Sequence, residues 1–401
     1  MSSHAKLSAN SKVAGAGQFV LVFQGGGALG AYQAGVYQAL HEAEIEPDWI
    51  IGTSIGAINA SLIAGNARID RIAALKEFWD RVTHHRPWNF FPTHPAFSQA
   101  MSYLSIAGGG LNGFFDPNPQ ALMGPHVKLG ADRAGYYSTA PLTRTLSKLI
   151  DFSQIGSGPR LTVGAANVRT SQMRYFDSRH DTLDVRHVMA SGALPPAFPA
   201  VRIGEDLYWD GGVLSNTPTE IVFDDYPRKS SLIFAVHMWN PIGEEPETMY
   251  QVMHRQKDVQ YSSRVASHIM RQKEAHRMRR AIRELAALVP PEKQQSEAYR
   301  EMADLGCLTR MHVVRLLAPS LDFEDQTKDV DFSADRIRRR WRAGYDQTRQ
   351  ALDRAPWRDE GDPLDGVILH EPPFAGVQTV PVGAAAPDAA LDPAHQIEAA
   401  E

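Results

Sequence analysis

The stretch that most constrains this chain is Gly52-Thr53-Ser54-Ile55-Gly56, set between the apolar run Trp49-Ile50-Ile51 and the small-residue run Ala57 to Ala64. The order predicts a buried strand, a sharp turn and a helix, with a serine at the apex. Glycines two residues to either side let the backbone fold back tightly. The serine side chain is then pushed out above the sheet, with a helix N-terminus beneath it. A hydroxyl placed like that is a candidate nucleophile. Gly-x-Ser-x-Gly alone is a weak signal, so its surroundings decide.

Those surroundings predict a layered α/β fold. Gln18 to Gln24 is a nearly continuous apolar run, the pattern of a strand covered on both faces. It leads directly into Gly25-Gly26-Gly27-Ala28-Leu29-Gly30. Tyr32, Val36, Ala39 and Leu40 then give residues 31–43 a helical stripe. Asp48 to Thr53 is the second strand and Ser54 opens the next helix. Strand–helix–strand–helix at this spacing implies right-handed crossovers and a parallel sheet covered by helices. Farther on, the pattern predicts helices over Ile69–Val82 and Pro141–Ile150, and a strand over Leu161–Val168 with Arg174–Phe176 following. A helix capped by Asp184 comes next, then a hairpin from Val201 to Trp209 turning at Gly204-Glu205-Asp206. The hairpin enters Asp210-Gly211-Gly212, and Leu232–Met238 is another buried strand. Residues 83–130 scatter Trp88, Phe90, Phe91, Phe97, Tyr103, Phe114 and Phe115 among Pro, Gly and Asn. That segment is either a loop packed on the surface or part of an apolar substrate channel.

The character changes after Pro241. Thr248 to Val289 lacks Gly and Pro and predicts one or two long helices, strongly basic between Arg255 and Arg283, with Met278, Ile282, Leu285 and Val289 as an apolar stripe. Such a helix is a solvated face or lies on an anionic membrane. Met311–Leu317 returns as a strand, and Ser333 is placed to cap a last helix running to about Leu352. Four segments result: a disordered leader over 1–17, a catalytic unit over 18–240, a mainly helical extension over 241–354 with one returning strand, and a loosely held tail over 355–401. The leader lacks the apolar core of a secretory signal, and no run reaches ~20 apolar residues. The expectation is a cytoplasmic protein, peripheral to a membrane at most. A net charge of -5 gives no global attraction to nucleic acid. Cys307 is the one cysteine, which excludes an intramolecular disulfide, and it reads as a buried structural residue.

The glycine loop admits two chemical readings besides simple helix–sheet packing. Gly25, Gly27 and Gly30 fit the Gly-x-Gly-x-x-Gly dinucleotide fingerprint, which requires an acidic residue at the end of the second strand. That strand ends in Gly52-Thr53-Ser54, and its acid, Asp48, stands at the beginning. The nucleotide reading therefore fails where it is specific. The other reading turns the N–H groups of Gly26 and Gly27, with that of Ile55, toward the negative charge developing on a substrate carbonyl oxygen. Ser54 also needs a base. His237 and His312 follow Asp210 in the order a Ser–Asp–His triad would take, although neither sits in a motif. Asp210, ahead of two glycines, is a carboxylate on a turn that can approach another backbone closely.

Gly-Gly-Gly-Ala-Leu-Gly, then Gly-Thr-Ser-Ile-Gly, then Asp-Gly-Gly, in that order, closely resemble the patatin-like phospholipase family. The run Ala190 to Pro199 is similar to that family's segment before the aspartate. The resemblance covers residues 18–240. It implies a three-layer α/β sandwich around a mainly parallel sheet and a Ser–Asp dyad without histidine, with Ser54 as nucleophile and Asp210 as base. It also implies an oxyanion hole drawn from Gly25, Gly26, Gly27, Gly30 and Ile55, motif support from Gly52, Gly56, Gly211 and Gly212, and no metal or organic cofactor. The implied activity is hydrolysis of lipid acyl esters, of phospholipase A or lysophospholipase type. The rivals are an esterase or thioesterase on soluble or polymeric acyl substrates, and a membrane-binding scaffold with a vestigial site. The implied partner is a lipid or other acyl ester, and no oligomeric state follows. Two positions depart from the family: Gln24 stands where many members have Asp, and Leu29 where many have Lys or Arg. The segment containing Trp341-Arg342-Ala343-Gly344-Tyr345-Asp346 is similar to the C-terminal extension of one bacterial subgroup.

Overall fold

A computed structural model describes residues 17–83, 108–124, 126–262, 265–321, 326–359 and 364–371, together with 13, 15, 324 and 362. Most of the predicted leader, the aromatic positions from Trp88 to Tyr103, and the tail from 372 onward lie outside the described residues.

The strands of the main sheet are β1 (Gln18–Phe23), β2 (Trp49–Thr53), β3 (Arg160–Asn167), β4 (Met173–Asp177), β5 (Val201–Ile203), β6 (Asp206–Asp210), β7 (Ser231–His237), β8 (Met311–Leu317) and β9 (Val367–His370). They form one sheet in the order β9-β8-β7-β1-β2-β3-β6-β5, with β4 also paired to β3. From β9 to β3 every pairing is parallel, while β4, β5 and β6 add antiparallel pairs at one side. The helices are α1 (Ala31–Glu42), α2 (Ile55–Ala64), α3 (Arg71–Val82), α4 (Ala140–Leu149), α5 (Val185–Ser191), α6 (Glu220–Asp224), α7 (Met249–Ser262), α8 (Val265–Ala287), α9 (Glu297–Asp304) and α10 (Ala334–Arg354).

Alternation along β1 explains the three layers. Phe19, Leu21 and Phe23 join the core beneath α1, α2, α3 and α10, whereas Val20 and Val22 join Val222, Phe223 and Ile269 on the other face. Every residue of α2 is buried, because it lies against the sheet under α3. The expected α/β sandwich with a mainly parallel sheet is present. The chain leaves β1 toward β2 on one side and returns to it through β7 on the other. This places the carboxyl ends of β1, β2 and β7 around one crevice, the usual ligand position in such sheets.

Three expectations need correction. The tail from 355 is not uniformly loose: Trp357 and Val367 are buried, and Val367–His370 is a full sheet strand paired to β8. Four strand residues between Pro- and Asp-rich stretches are too few to show periodicity. Ser333 does precede α10, but its side chain makes no capping bond; its N–H donates to Asp331 Oδ1 at 3.1 Å instead. Cys307 is half-buried, with its thiol 2.8 Å from Thr309 Oγ1. The apolar stripe of α8 faces solvent at Met278 and Leu285. Among the described residues no helix is long and apolar enough to cross a membrane.

Candidate active site

Gly25, Gly26 and Gly27 follow β1, Ser54 follows β2, and Asp210 ends β6; all line one cavity of about 280 Å³. Ser54 has φ 57° and ψ -126°, a region that costs a non-glycine residue about 1–3 kcal/mol. The flanking glycines explain how the turn closes. A Cβ on Gly52 would lie 2.4 Å from the Gly56 carbonyl oxygen, and one on Gly56 would lie 2.4 Å from that of Phe23. The strained turn is tied down from outside. Ser54 N–H donates to Ser191 Oγ at 2.9 Å, and the buried Ser191 hydroxyl donates to the Gly164 carbonyl at 2.6 Å.

Asp210 is 3% exposed. Burial pushes its carboxyl up to about 6, and hydrogen bonds from the Ser54 hydroxyl and the Gly212 N–H oppose that rise. The Gly212 bond measures 2.7 Å. The carboxylate is thus the main form at neutral pH, yet more basic than an ordinary aspartate. His237 is buried within β7 and held at about 3 by that burial, and His312 faces His370 at 3.0 Å. Neither lines the cavity. Asp210 shares the cavity lining with Ser54, and its carboxyl feels the Ser54 hydroxyl.

The five positions expected to form an oxyanion hole divide. Gly25 N–H is already taken, facing the Asn216 carbonyl at 3.2 Å and Asn216 Oδ1 at 3.1 Å. Gly30 is buried away from the cavity, where a Cβ would meet Ile55 Cγ1 at 2.5 Å, so it serves packing. Among the described residues no acceptor meets the N–H of Gly26 or Gly27. Ile55 is the first residue of α2 and has no intrahelical acceptor. Gly26, Gly27 and Ile55 all line the cavity beside Ser54.

Sequence reasoning missed the residues that hold the loop. Gln24 Oε1 accepts from the N–H groups of Met238 at 2.5 Å and Trp239 at 3.1 Å, while its Nε2 donates to Thr217 Oγ1 at 2.8 Å. The Gly25 carbonyl accepts from Trp239 Nε1 at 2.8 Å and Asn216 Nδ2 at 3.2 Å. Ala28 N–H donates to the Asp329 carbonyl at 2.8 Å, so chain from beyond residue 240 reaches this loop. Gln24 was visible as a departure from the family pattern and Ser191 lies in the family-like run Ala190 to Pro199, although its bond to Ser54 was not foreseen; Asn216, Trp239 and Asp329 carry no local signal. The remaining lining is largely apolar and aromatic, including Ile58, Phe114, Phe115, Leu142, Phe198 and Phe332. Among the described residues no group of three or more His, Cys, Asp or Glu is arranged to hold a metal ion.

A family model described as patatin-like phospholipase matches residues 21–223, and a second, described as patatin phospholipase, matches 259–364. The chain belongs to the patatin-like phospholipase family. A Caenorhabditis elegans protein named for a patatin-like phospholipase domain is 42% identical over 66 residues, 16% of this chain and 6% of that protein. The chain thus spans a small part of that relative's length. Among solved structures, VipD from Legionella pneumophila is 15% identical, with a TM-score of 0.37 over 84% of this chain and 67% of that one. The ExoU-SpcU complex of the Pseudomonas aeruginosa type III secretion system is 15% identical, with a TM-score of 0.30 over 86% of this chain and 52% of that one. Likenesses this low carry no weight for the fold, which rests on the strand order.

Proposed function

We propose that this patatin-like protein is a serine acyl-ester hydrolase of lipids, of phospholipase A or lysophospholipase type. The observation that carries the reading is that Ser54, on its strained turn, and Asp210, a buried carboxylate raised to about 6, line one largely apolar cavity. In this mechanism Asp210 takes the Ser54 proton as the hydroxyl oxygen attacks the ester carbonyl carbon. The oxyanion that forms is met by the N–H groups of Gly26, Gly27 and Ile55. Collapse expels the alcohol, which receives the proton from Asp210, and leaves the acyl group on Ser54. Water then attacks the acyl-enzyme with Asp210 again as base, releasing the fatty acid and restoring the hydroxyl. A carboxylate of raised basicity suits both proton transfers at neutral pH.

The test uses Ser54→Ala and Asp210→Asn proteins, checked for folding by circular dichroism, on a short-chain nitrophenyl ester. Either change is expected to lower kcat by at least about a thousandfold. Wild-type rates in both folded variants would overturn the assignment.

A further inference from the structure

The apolar cavity beside Ser54 is bounded by Phe332, a side chain supplied by the chain after residue 240 and 2% exposed. Its ring is tilted against Phe114, with centroids 5.7 Å apart, and stacked on Trp79, with centroids 6.3 Å apart and planes at 22°. Trp79 does not line that cavity. It lines a second cleft of about 520 Å³ between α1, α3 and α10, together with Gln38, Ile337, Trp341 and Tyr345. One ring of the Phe332–Trp79 stack thus lines each space.

Both halves of the stack are held in place. Trp79 Nε1 donates to Asn59 Oδ1 at 3.1 Å inside the core. Phe332 ends a segment fixed by charge: Lys257 Nζ lies 2.7 Å from Asp329 Oδ1, and the buried Lys328 Nζ lies 2.7 Å from Asp258 Oδ1. Arg340 donates to the carbonyls of Lys328 at 2.9 Å and Asp331 at 3.1 Å. Displacing the backbone that carries the ring would break the buried Lys328–Asp258 pair, which is strongly unfavourable. A side chain in that position acts as a stop rather than as a flexible lining. The cavity it closes is at the small end of ligand sites, about 300–1,000 Å³.

We propose that Phe332 is the acyl-chain stop of this site: it restricts the protein to short and medium acyl chains, and the cleft beyond Trp79 is the space a longer chain would enter without it. The inference rests on the ester-hydrolase reading for its kinetic test and on cavity shape alone for its binding test.

The experiment compares full-length wild type, Phe332→Ala and Phe332→Leu. One readout is kcat/KM on nitrophenyl esters from butanoate to hexadecanoate. The other is equilibrium binding of the matching saturated fatty acids, followed by displacement of a fluorescent fatty acid. The expected result is a hexadecanoate-to-octanoate ratio raised about tenfold or more in Phe332→Ala, with Phe332→Leu between it and wild type. Fatty-acid affinities should shift in the same direction. Phe332→Leu keeps an apolar side chain in the core and carries the test if the alanine variant does not fold. Unchanged chain-length ratios in folded variants, by both readouts, would overturn the stop. Fatty-acid binding that shifts while no ester is hydrolysed by any form would sustain the stop and overturn the hydrolase reading.

Discussion

Asp210 joins two demands that oppose each other, and its titration exposes both. As the proposed base it must be ionised, so kcat/KM should fall about tenfold per pH unit below about 6, well above where an ordinary aspartate would act. A flat profile down to pH 4.5 would remove Asp210 from the reaction. Stability runs the other way. The folded-state value near 6 lies above the reference 3.8, so the folded form holds the proton more tightly. That contribution is fully present below 3.8 and lost as pH rises through about 6, so the buried carboxylate costs roughly 3 kcal/mol at pH 7. Asp210→Asn removes this cost and weakens the hydrogen bond accepted from the Gly212 N–H, worth about 1 kcal/mol. The inactive variant should therefore be roughly 2 kcal/mol more stable than wild type at pH 7 in urea denaturation, with the gap closing toward pH 4. A variant less stable than wild type at pH 7 would contradict the direction given for the carboxyl. The strained Ser54 beside it has the same character: both residues are placed for chemistry against their own conformational or solvation preference.

At the scale of elements, α10 and α1 meet through glycines. A Cβ on Gly35 would lie 1.9 Å from the Trp341 carbonyl oxygen, and one on Gly344 would lie 2.0 Å from that of Tyr32. Around this contact Trp341 Nε1 donates to Gln38 Oε1 at 2.6 Å, and the Tyr345 hydroxyl donates to Glu42 Oε2 at 2.7 Å. In a free helix, glycine to alanine stabilises by about 1 kcal/mol. Here Gly344→Ala must push two backbones apart and should destabilise by about 1–3 kcal/mol. The sign of the change in melting temperature decides between the two, and a rise would show that the helices are not in backbone contact. Activity should fall with it, because α1 begins directly after the glycine loop. This contact also marks where sequence reading stops. The strand–Gly–helix pattern around Ser54 and the hairpin entering Asp210 are local, so periodicity and turn chemistry reveal them. Within a helix, Gly35 and Gly344 read only as weakened propensity, because the partner that explains each lies some three hundred residues away. The roles of Asn216 and Ser191 stay hidden for the same reason: each matters through a bond to a distant backbone group, and neither belongs to a repeating pattern.

At the scale of the molecule, the segment after residue 240 is part of the sheet that carries the site. β7 pairs with β8 along seven residues, from Ser231–Met311 to His237–Leu317. Without β8, a strand buried along its whole length would become an exposed apolar edge, the kind that recruits other chains. Loss of α10 would uncover α1, and loss of Asp329, Val330 and Phe332 would open the cavity and free the Ala28 N–H. The boundary expected at 240 is therefore proposed as a change of sequence character within one cooperative unit. The full chain should unfold in a single calorimetric transition with equal van't Hoff and calorimetric enthalpies. A chain ending at Asn240 should be insoluble or lack that transition. Soluble 1–240 protein that melts cooperatively and turns over a nitrophenyl ester at wild-type rates would show instead that β7 tolerates a free edge and that the glycine loop holds its shape without Asp329. Partial outcomes separate the two roles of the extension. Cooperative melting without turnover would mean that the fold is complete at 240 while the site is not, and the contacts from Asp329 and Phe332 to the cavity would then be what the added strands and helices exist to supply.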